Sequence, residues 1–397
     1  MQNNCITDLL NIQGVKVKDI KNNENSLNVF IETTSKLQKC PCCGHYTKHI
    51  HDYRIQKIQH ILIGSKPSYL YLNKRRYVCN YCNKKFYENY SFIQKYFRKS
   101  NDVYEKVVSD LKQLKNFKTI AQDNHISQPT VVRFLNYKIF MDNKYSYSKI
   151  LPQHIGIDEF KGNCNHTKYL FHVFDLDTHE TIDIVNGKSY DVLENYFSKI
   201  ENKSNVKIVS MDMCKLFKRI VKDKFPKASI VADCFHFTRS VMNCLDELRL
   251  NIWRKAKGKE RKYLKYLKTS LMKDISKIND KDSEKLLYAF ENFPILKYAY
   301  NLKNKFLDIK KANSFDEKEK LFREWLNEVE CSTINEFKKC ISTLREWHEY
   351  ISNYFRLNYS NGPTEGKNNL IKSVKRISFG FRNFSNFRSR ILILSLK

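Results

Sequence analysis

Apolar positions recur at two periods along this chain, and the switch between them divides it. In LNVFIE, Leu27, Val29 and Ile31 alternate with polar neighbours, which predicts a strand within residues 1–36. YLYLNKRRYVC repeats that alternation, so residues 37–92 read as strands between two cysteine pairs. Residues 101–138 change to helical spacing. From 153 to 235 the two periods take turns: HIGIDEF, KYLFHVFDL and ETIDIVNG predict strands, and YDVLENYFSKI a helix. VKIVSMDM then predicts a strand, CKLFKRIVKDKF a helix and SIVADCF a strand. Such a succession is the signature of a mixed α/β core. Residues 239–356 hold one glycine, Gly258, and one proline, Pro294, and keep helical periodicity. Phe322, Trp325, Leu326 and Val329, at i, i+3, i+4 and i+7, would share one buried face. An all-helical block is therefore expected inside the chain, with no internal repeat.

Composition adds a partner to this outline. The 397 residues include 71 Lys and Arg against 42 Asp and Glu, a formal net charge of +29. That balance favours a polyanion, above all nucleic acid. No run of about 18 apolar residues occurs, so no membrane span is expected. The N-terminus lacks a secretory pattern, so a cytoplasmic chain is expected, on the nucleoid when bound to DNA.

Among 12 cysteines, two C-x-x-C pairs stand out: Cys40 with Cys43 in KCPCCGHY, and Cys79 with Cys82 in VCNYCNKKF. Each pair lets two thiolates reach one ion from a tight turn, and two pairs make a tetrahedral site suited to structural Zn²⁺. Cys42 competes with Cys43, but the C-P-x-C-G pattern favours Cys43. The scattered cysteines read as small buried apolar residues.

NFKTIAQDNHISQPTVVRFLNY, residues 116–137, fits a helix-turn-helix. A first helix would include Thr119, Ile120 and Ala121, and a turn would follow near Asn124 and His125. Ser127 would cap a second helix, with Pro129 in its first turn. Its polar start, with Ser127, Gln128, Thr130 and Arg133, would meet DNA, while Val131, Phe134 and Leu135 would face the core. An ordinary helical hairpin satisfies the same pattern.

Three carboxylates occupy positions at which an RNase H-like core holds metal. Asp158 lies in the first strand, on the face opposite Ile155 and Ile157. Asp212 ends a later strand, and Glu365 opens the NGPTEGKNN helix. Brought together they would repel, and two Mg²⁺ ions would offset that repulsion and serve phosphodiester chemistry. On the Glu365 helix, Asn369, Lys372 and Arg376 share the glutamate's face, while Leu370, Val374 and Ile377 share the opposite one. From Gly366 to Lys397 there are eight Lys and Arg and no acid. Phe379, Phe381, Phe384 and Phe387 interleave with them, for packing or for base stacking.

These residues resemble the ISL3 family of insertion-sequence transposases, in the DDE group. The likeness rests on CPCCG, RRYVCNYCNKKFYE, the helix-turn-helix, GIDEF, VSMDM, VADCFHF and SNGPTEGKNNLIKSVKRISFGFRNFSNFRSRIL, which span residues 40–393. No motif of the pattern is missing, so a complete chain is expected. The resemblance implies a multidomain α/β protein. An N-terminal unit with strands and the zinc ribbon (1–92) precedes the DNA-binding helix-turn-helix (93–149). An RNase H-like core (150–238 and 345–397) is interrupted by a helical insertion (239–344). It implies Asp158, Asp212 and Glu365 as catalytic ligands of Mg²⁺ or Mn²⁺; Glu159 stands where many members carry a second aspartate. Lys372, Lys375, Arg376 and Arg382 would touch DNA. Asp233 and His236 match a D-x-x-H motif, with a chemical role and a packing role equally open. The implied reaction is cleavage at terminal inverted repeats and strand transfer, by a homodimer or larger assembly on DNA. A regulator with an inert core, or a structure-specific nuclease or resolvase, would fit the same motifs.

Overall fold

A computed structural model describes residue 10, residues 12–142 and residues 150–395; for residues 363–365 it describes the backbone alone. The described residues fall into two compact units: residues up to 142 with 373–380 and 385–395, and residues 150–372 with 381–384.

The first unit is built on a sheet. β1 (Val15–Asn23) and β2 (Ser26–Thr33) pair antiparallel, β2 pairs parallel with β6 (Lys66–Val78), and β6 pairs antiparallel with β5 (Ile50–Ile63). The short β7 (Lys85–Tyr87) also pairs with β6, and β3 (Gln38–Lys39) pairs with β4 (Tyr46–Thr47). β5 and β6 are joined through Gly64 and Ser65, both at positive φ (56° and 67°), as a type I′ hairpin turn requires. The alternation read in the sequence holds: Val29, Ile31, Ile58, Leu70 and Leu72 form one buried face.

Three helices follow in this unit: α1 (Asn101–Leu111), α2 (Phe117–Asp123) and α3 (Gln128–Met141). Ser100 and Asn116 cap the first two through their side chains. Asp110, fully buried, braces the bundle. Its carboxylate accepts from Asn124 Nδ2 at 2.9 Å and pairs with Lys106 at 3.0 Å and Lys115 at 3.2 Å. Ser127 stands at the start of α3, but its hydroxyl bonds the Thr130 hydroxyl at 2.9 Å and caps no backbone N–H, which corrects the expected cap. Val131, Phe134 and Leu135 are buried as expected.

The second unit holds a mixed sheet in the order β10-β9-β8-β11-β12. β8 (His154–Cys164), β9 (Thr167–Asp175) and β10 (Thr181–Val185) are antiparallel, while β11 (Ile208–Met211) and β12 (Ser229–Ala232) run parallel to β8. Gly156 of β8 lies under the Phe174 ring, where a Cβ would come within 2.0 Å of ring carbon, so only glycine fits. α4 (Tyr190–Ser198) and α5 (Lys215–Lys224) cover the sheet with Leu193, Phe197, Phe217 and Ile220.

The helical block is α6 (Cys234–Lys255), α7 (Gly258–Met272), α8 (Asp280–Asn292), α9 (Pro294–Ile309), α10 (Phe315–Cys331), α11 (Asn335–Glu346) and α12 (His348–Leu357). Phe322, Trp325, Leu326 and Val329 are buried as their spacing predicts, and Trp325 Nε1 donates to Leu302 O at 2.8 Å. α6 leaves directly from β12. α12 returns against the same strand, and Asn353 Nδ2 donates to Ile230 O at 2.8 Å. Among the described residues two further helices follow, α13 (Gly362–Ile377) and α14 (Phe384–Leu394). α14 belongs to the first unit, where the buried Arg390 donates from Nη2 to Gln113 O at 2.7 Å and Lys115 O at 3.0 Å.

Candidate functional site

The two cysteine turns are built alike. Gly44 N bonds Cys40 O at 3.1 Å, and Asn83 N bonds Cys79 O at 2.9 Å. Gly44 and Asn83, each just after the second cysteine, both take positive φ (77° and 55°), the conformation glycine and asparagine tolerate best. The turns face each other. Cys40 Sγ lies 3.6 Å from Cys82 Sγ, and Cys43 Sγ 3.4 Å from Cys79 Sγ. All four sulfurs lie within 4.8 Å of one another. A tetrahedron with Zn–S bonds of about 2.3 Å has edges near 3.8 Å, so the donor set fits zinc after a small expansion. Cys42 is exposed and stands outside the set, which decides its competition with Cys43.

The second cluster is set by strand register. β11 pairs in parallel with β8, Met211 beside Ile157, and with β12, Met211 beside Ala232. The residue after each of these is an aspartate: Asp158 within β8, Asp212 just past the end of β11 and Asp233 just past the end of β12, so the register brings all three to about one level. Strand ends of open α/β sheets are where polar ligands gather. His236, one turn into α6, places Nε2 3.1 Å from Asp212 Oδ1. Ligand atoms of Asp212, Asp233 and His236 all lie within 4.8 Å of one another.

Other contacts fix these carboxylates. Asp158 Oδ2 accepts from Asn368 Nδ2 at 2.6 Å, and its Oδ1 from the backbone N of Glu159 at 2.6 Å. Asp233 Oδ1 accepts from Asn361 N at 3.1 Å, while Asn361 Nδ2 donates to Ile157 O at 3.3 Å. Glu159 pairs with Lys188 at 2.6 Å. Burial pushes the Asp158 and Asp233 carboxyls up, and burial with the charges of Asp158, Asp233 and Glu159 pushes Asp212 up to about 8. Beside Asp158, opposite it on β9, is His172, fully buried, which burial pushes down to about 3 and so keeps neutral. Oxygen donors crowded so closely that burial and one another's charge oppose their ionisation would be relieved by a divalent cation. A cavity of about 500 Å³ opens on it, lined in part by Glu159, Lys188, Asp212, His236 and Arg239.

The helix expected to begin at Glu365 does form as α13, but the Glu365 side chain lies outside the described residues. α13 buries Ile371 and Val374, while Leu370 is half-buried. The inner face is therefore rotated from the Leu370, Val374 and Ile377 face read in the sequence, and the rotation brings Asn368 to Asp158. Lys372, Arg376 and Arg382 are exposed, and Lys375 is half-buried. At the start of α3, Ser127, Gln128 and Arg133 are exposed and Thr130 is half-buried.

Residues 155–391 match the ISL3 family model described as transposase, and residues 36–82 match that of the zinc-finger of transposase IS204/IS1001/IS1096/IS1165. The chain belongs to the ISL3 transposase family. It is similar to the transposase for insertion sequence element IS1001 of Bordetella parapertussis, 22% identical over 379 residues, covering 92% of this chain and 91% of the relative. The transposase for insertion sequence element IS1557 of Mycobacterium tuberculosis is 25% identical over 254 residues, 58% of this chain and 57% of that one. A Lactococcus lactis protein named ATP-dependent protease is 29% identical over 161 residues, 40% of this chain and 47% of its own. Membership makes the four cysteines the ligand set of a structural zinc ribbon and makes DNA the partner class of this ISL3-family chain. Among the described residues, no helix is long and apolar enough to cross a membrane.

Asn368 and Asn361 were not singled out in the sequence. Both stand in SNGPTEGKNN, the segment already marked by Glu365. An asparagine gives no chemical signal of its own; its role follows from the carboxylate it meets.

Proposed function

We propose that this chain binds the terminal inverted repeats of an insertion sequence and catalyses divalent-metal-dependent cleavage and strand transfer there. The observation that supports this most is the parallel pairing of β8 with β11, which sets Asp158 level with Asp212 just past the end of β11. In this reading residues 150–238 and the segment from 345 are the two parts of an RNase H-like core, and residues 239–344 are its helical insertion. α2 and α3 are the helix-turn-helix, with Ser127, Gln128, Thr130 and Arg133 toward DNA.

Asp158, Asp212 and Glu365 would hold Mg²⁺ or Mn²⁺. Bound there, the cations would ease deprotonation of a water and neutralise charge on the departing oxygen. Asn368 holds Asp158 in one orientation through its 2.6 Å hydrogen bond, and His236 does the same for Asp212. Water attack on the phosphodiester at the element's end would free a 3′-hydroxyl. That hydroxyl would attack target DNA in a second in-line displacement, so no covalent protein intermediate is needed. Lys372, Lys375, Arg376 and Arg382 would hold phosphates. Two ends must be paired, so a homodimer or larger assembly forms on DNA.

The test is cleavage of a duplex carrying the repeats that flank the reading frame. Cutting at the repeat boundary is expected with Mg²⁺ and is expected to vanish in EDTA and in D158A, D212A and E365Q, each of which should still bind the duplex. Normal cleavage by all three variants would remove the active-site assignment.

A further inference from the structure

The four phenylalanines of the basic C-terminal segment have different fates. Phe387 is fully buried, Phe381 is nearly so and Phe384 is half-buried, whereas Phe379 is 96% exposed. Its backbone is as unusual as its exposure. Phe379 takes φ 52°, a conformation that bulky side chains rarely adopt. Phe379 N donates to Arg376 O at 3.1 Å and Gly380 N to Lys375 O at 2.9 Å. That pair of bonds is the Schellman closure of α13, and it puts Phe379 at the position where glycine is the usual residue. Neither the core nor the turn accounts for phenylalanine here. A strained residue held in the open points to a ligand.

The surroundings name the ligand. Arg376 and Arg382 flank the ring in sequence and are exposed, and no acid follows Glu365. Within four positions of Phe379 along the chain stand three cations, Lys375, Arg376 and Arg382, and no acid, a composition that favours an anionic ligand over an apolar protein surface. The end of α13 is also tied to the helical part of its own unit: Asn116 Nδ2, at the cap of α2, donates to Ile377 O at 3.3 Å. The ring thus projects from the compact unit that carries α2 and α3.

We propose that Phe379 is a base-stacking residue, its ring receiving an unstacked nucleobase of DNA whose backbone is held by cations of the same unit, Arg376 among them. This rests on the reading of DNA as the substrate. An exposed aromatic set in a basic segment offers a face to any base, and the turn fixes the backbone that carries it, so less of the chain has to be ordered on stacking.

The full chain is tested on a duplex spanning the terminal repeat and its flank, with one 2-aminopurine placed in turn at each position. Wild type is expected to change the fluorescence at one or two adjacent positions and nowhere else. F379A and F379G should lose that change, and F379W should keep it. At that position F379A should weaken binding by about 5- to 150-fold, the equivalent of ~1–3 kcal/mol per stacked base. F379G should melt no lower than wild type, because glycine accepts the backbone angle, so its loss of signal cannot come from misfolding. Should F379A match wild type in fluorescence and affinity while wild type binds and cuts the duplex, this inference alone falls. It falls equally if F379A changes only the oligomeric mass. Should wild type fail to bind the duplex at all, the DNA reading falls and takes the inference with it.

Discussion

Asp212→Asn should make the metal-free protein more stable while abolishing cleavage. Asp212 ionises in the unfolded chain near 3.8 but is pushed up to about 8 in the fold by burial and by Asp158, Asp233 and Glu159. Between those values the folded state keeps a proton that the unfolded state has released. Stability therefore falls as pH rises from about 4 to about 8. The span of roughly four pH units, at ~1.36 kcal/mol each, gives a ceiling of ~5 kcal/mol near neutrality. The contact with His236, 3.1 Å away, offsets part of it, and the side chain keeps 17% of its exposure, so ~2 kcal/mol is the expected gain. Asparagine keeps the shape and still accepts from His236. For a unit of this size that is a rise of roughly 4–8 °C in Tm. Scanning calorimetry in EDTA at several pH values would show the wild-type transition falling with pH and the D212N transition falling less. Mg²⁺ should then raise the wild-type transition and leave D212N nearly unmoved. If D212N melts at or below wild type in EDTA at neutral pH, the clustered carboxylates do not strain one another.

Asn368→Ala removes the 2.6 Å donor to Asp158 and should lower the cleavage rate by about 10- to 100-fold with unchanged affinity for the repeats, read by single-turnover cutting and gel shift. Cys79→Ser should take zinc from about one ion per chain toward none and unfold the ribbon, seen by elemental analysis and by proteolysis around residues 36–82. Lys303 is fully buried, donates to Lys273 O at 2.8 Å and is pushed down to about 8 by burial. Between about pH 8 and 10.5 the unfolded chain binds the extra proton, so wild-type stability should rise across that window, and Lys303→Met should flatten the rise in a pH series of melting curves.

The strands were legible because their alternation is local, and so were the zinc turns, where spacing and chemistry sit within a few residues. The helical block was legible from the spacing of Phe322, Trp325, Leu326 and Val329. Other features depend on partners far along the chain. That Asp158 lies level with Asp212 follows from the parallel pairing of β8 with β11, which no spacing encodes. The inner face of α13 was read around Leu370, Val374 and Ile377, and burial of Ile371 moved it enough to bring Asn368 inward. Arg390 and Lys303 look like surface cations in the sequence, yet each is buried against backbone carbonyls that only the fold supplies. Ser127 looks like a cap, but a hydroxyl has two possible partners at a helix start, and Thr130 took it.

Because β12 is a border strand, its unpaired side would be an open template for another chain, and the amide of Asn353 occupies one of its carbonyls from a helix that returns from the insertion. The helical block is thus also a guard for the sheet it interrupts. A shortened relative that lost this block would expose a sticky margin, and it would have to blunt that margin with charge or proline, or else assemble through it into fibres or swapped pairs.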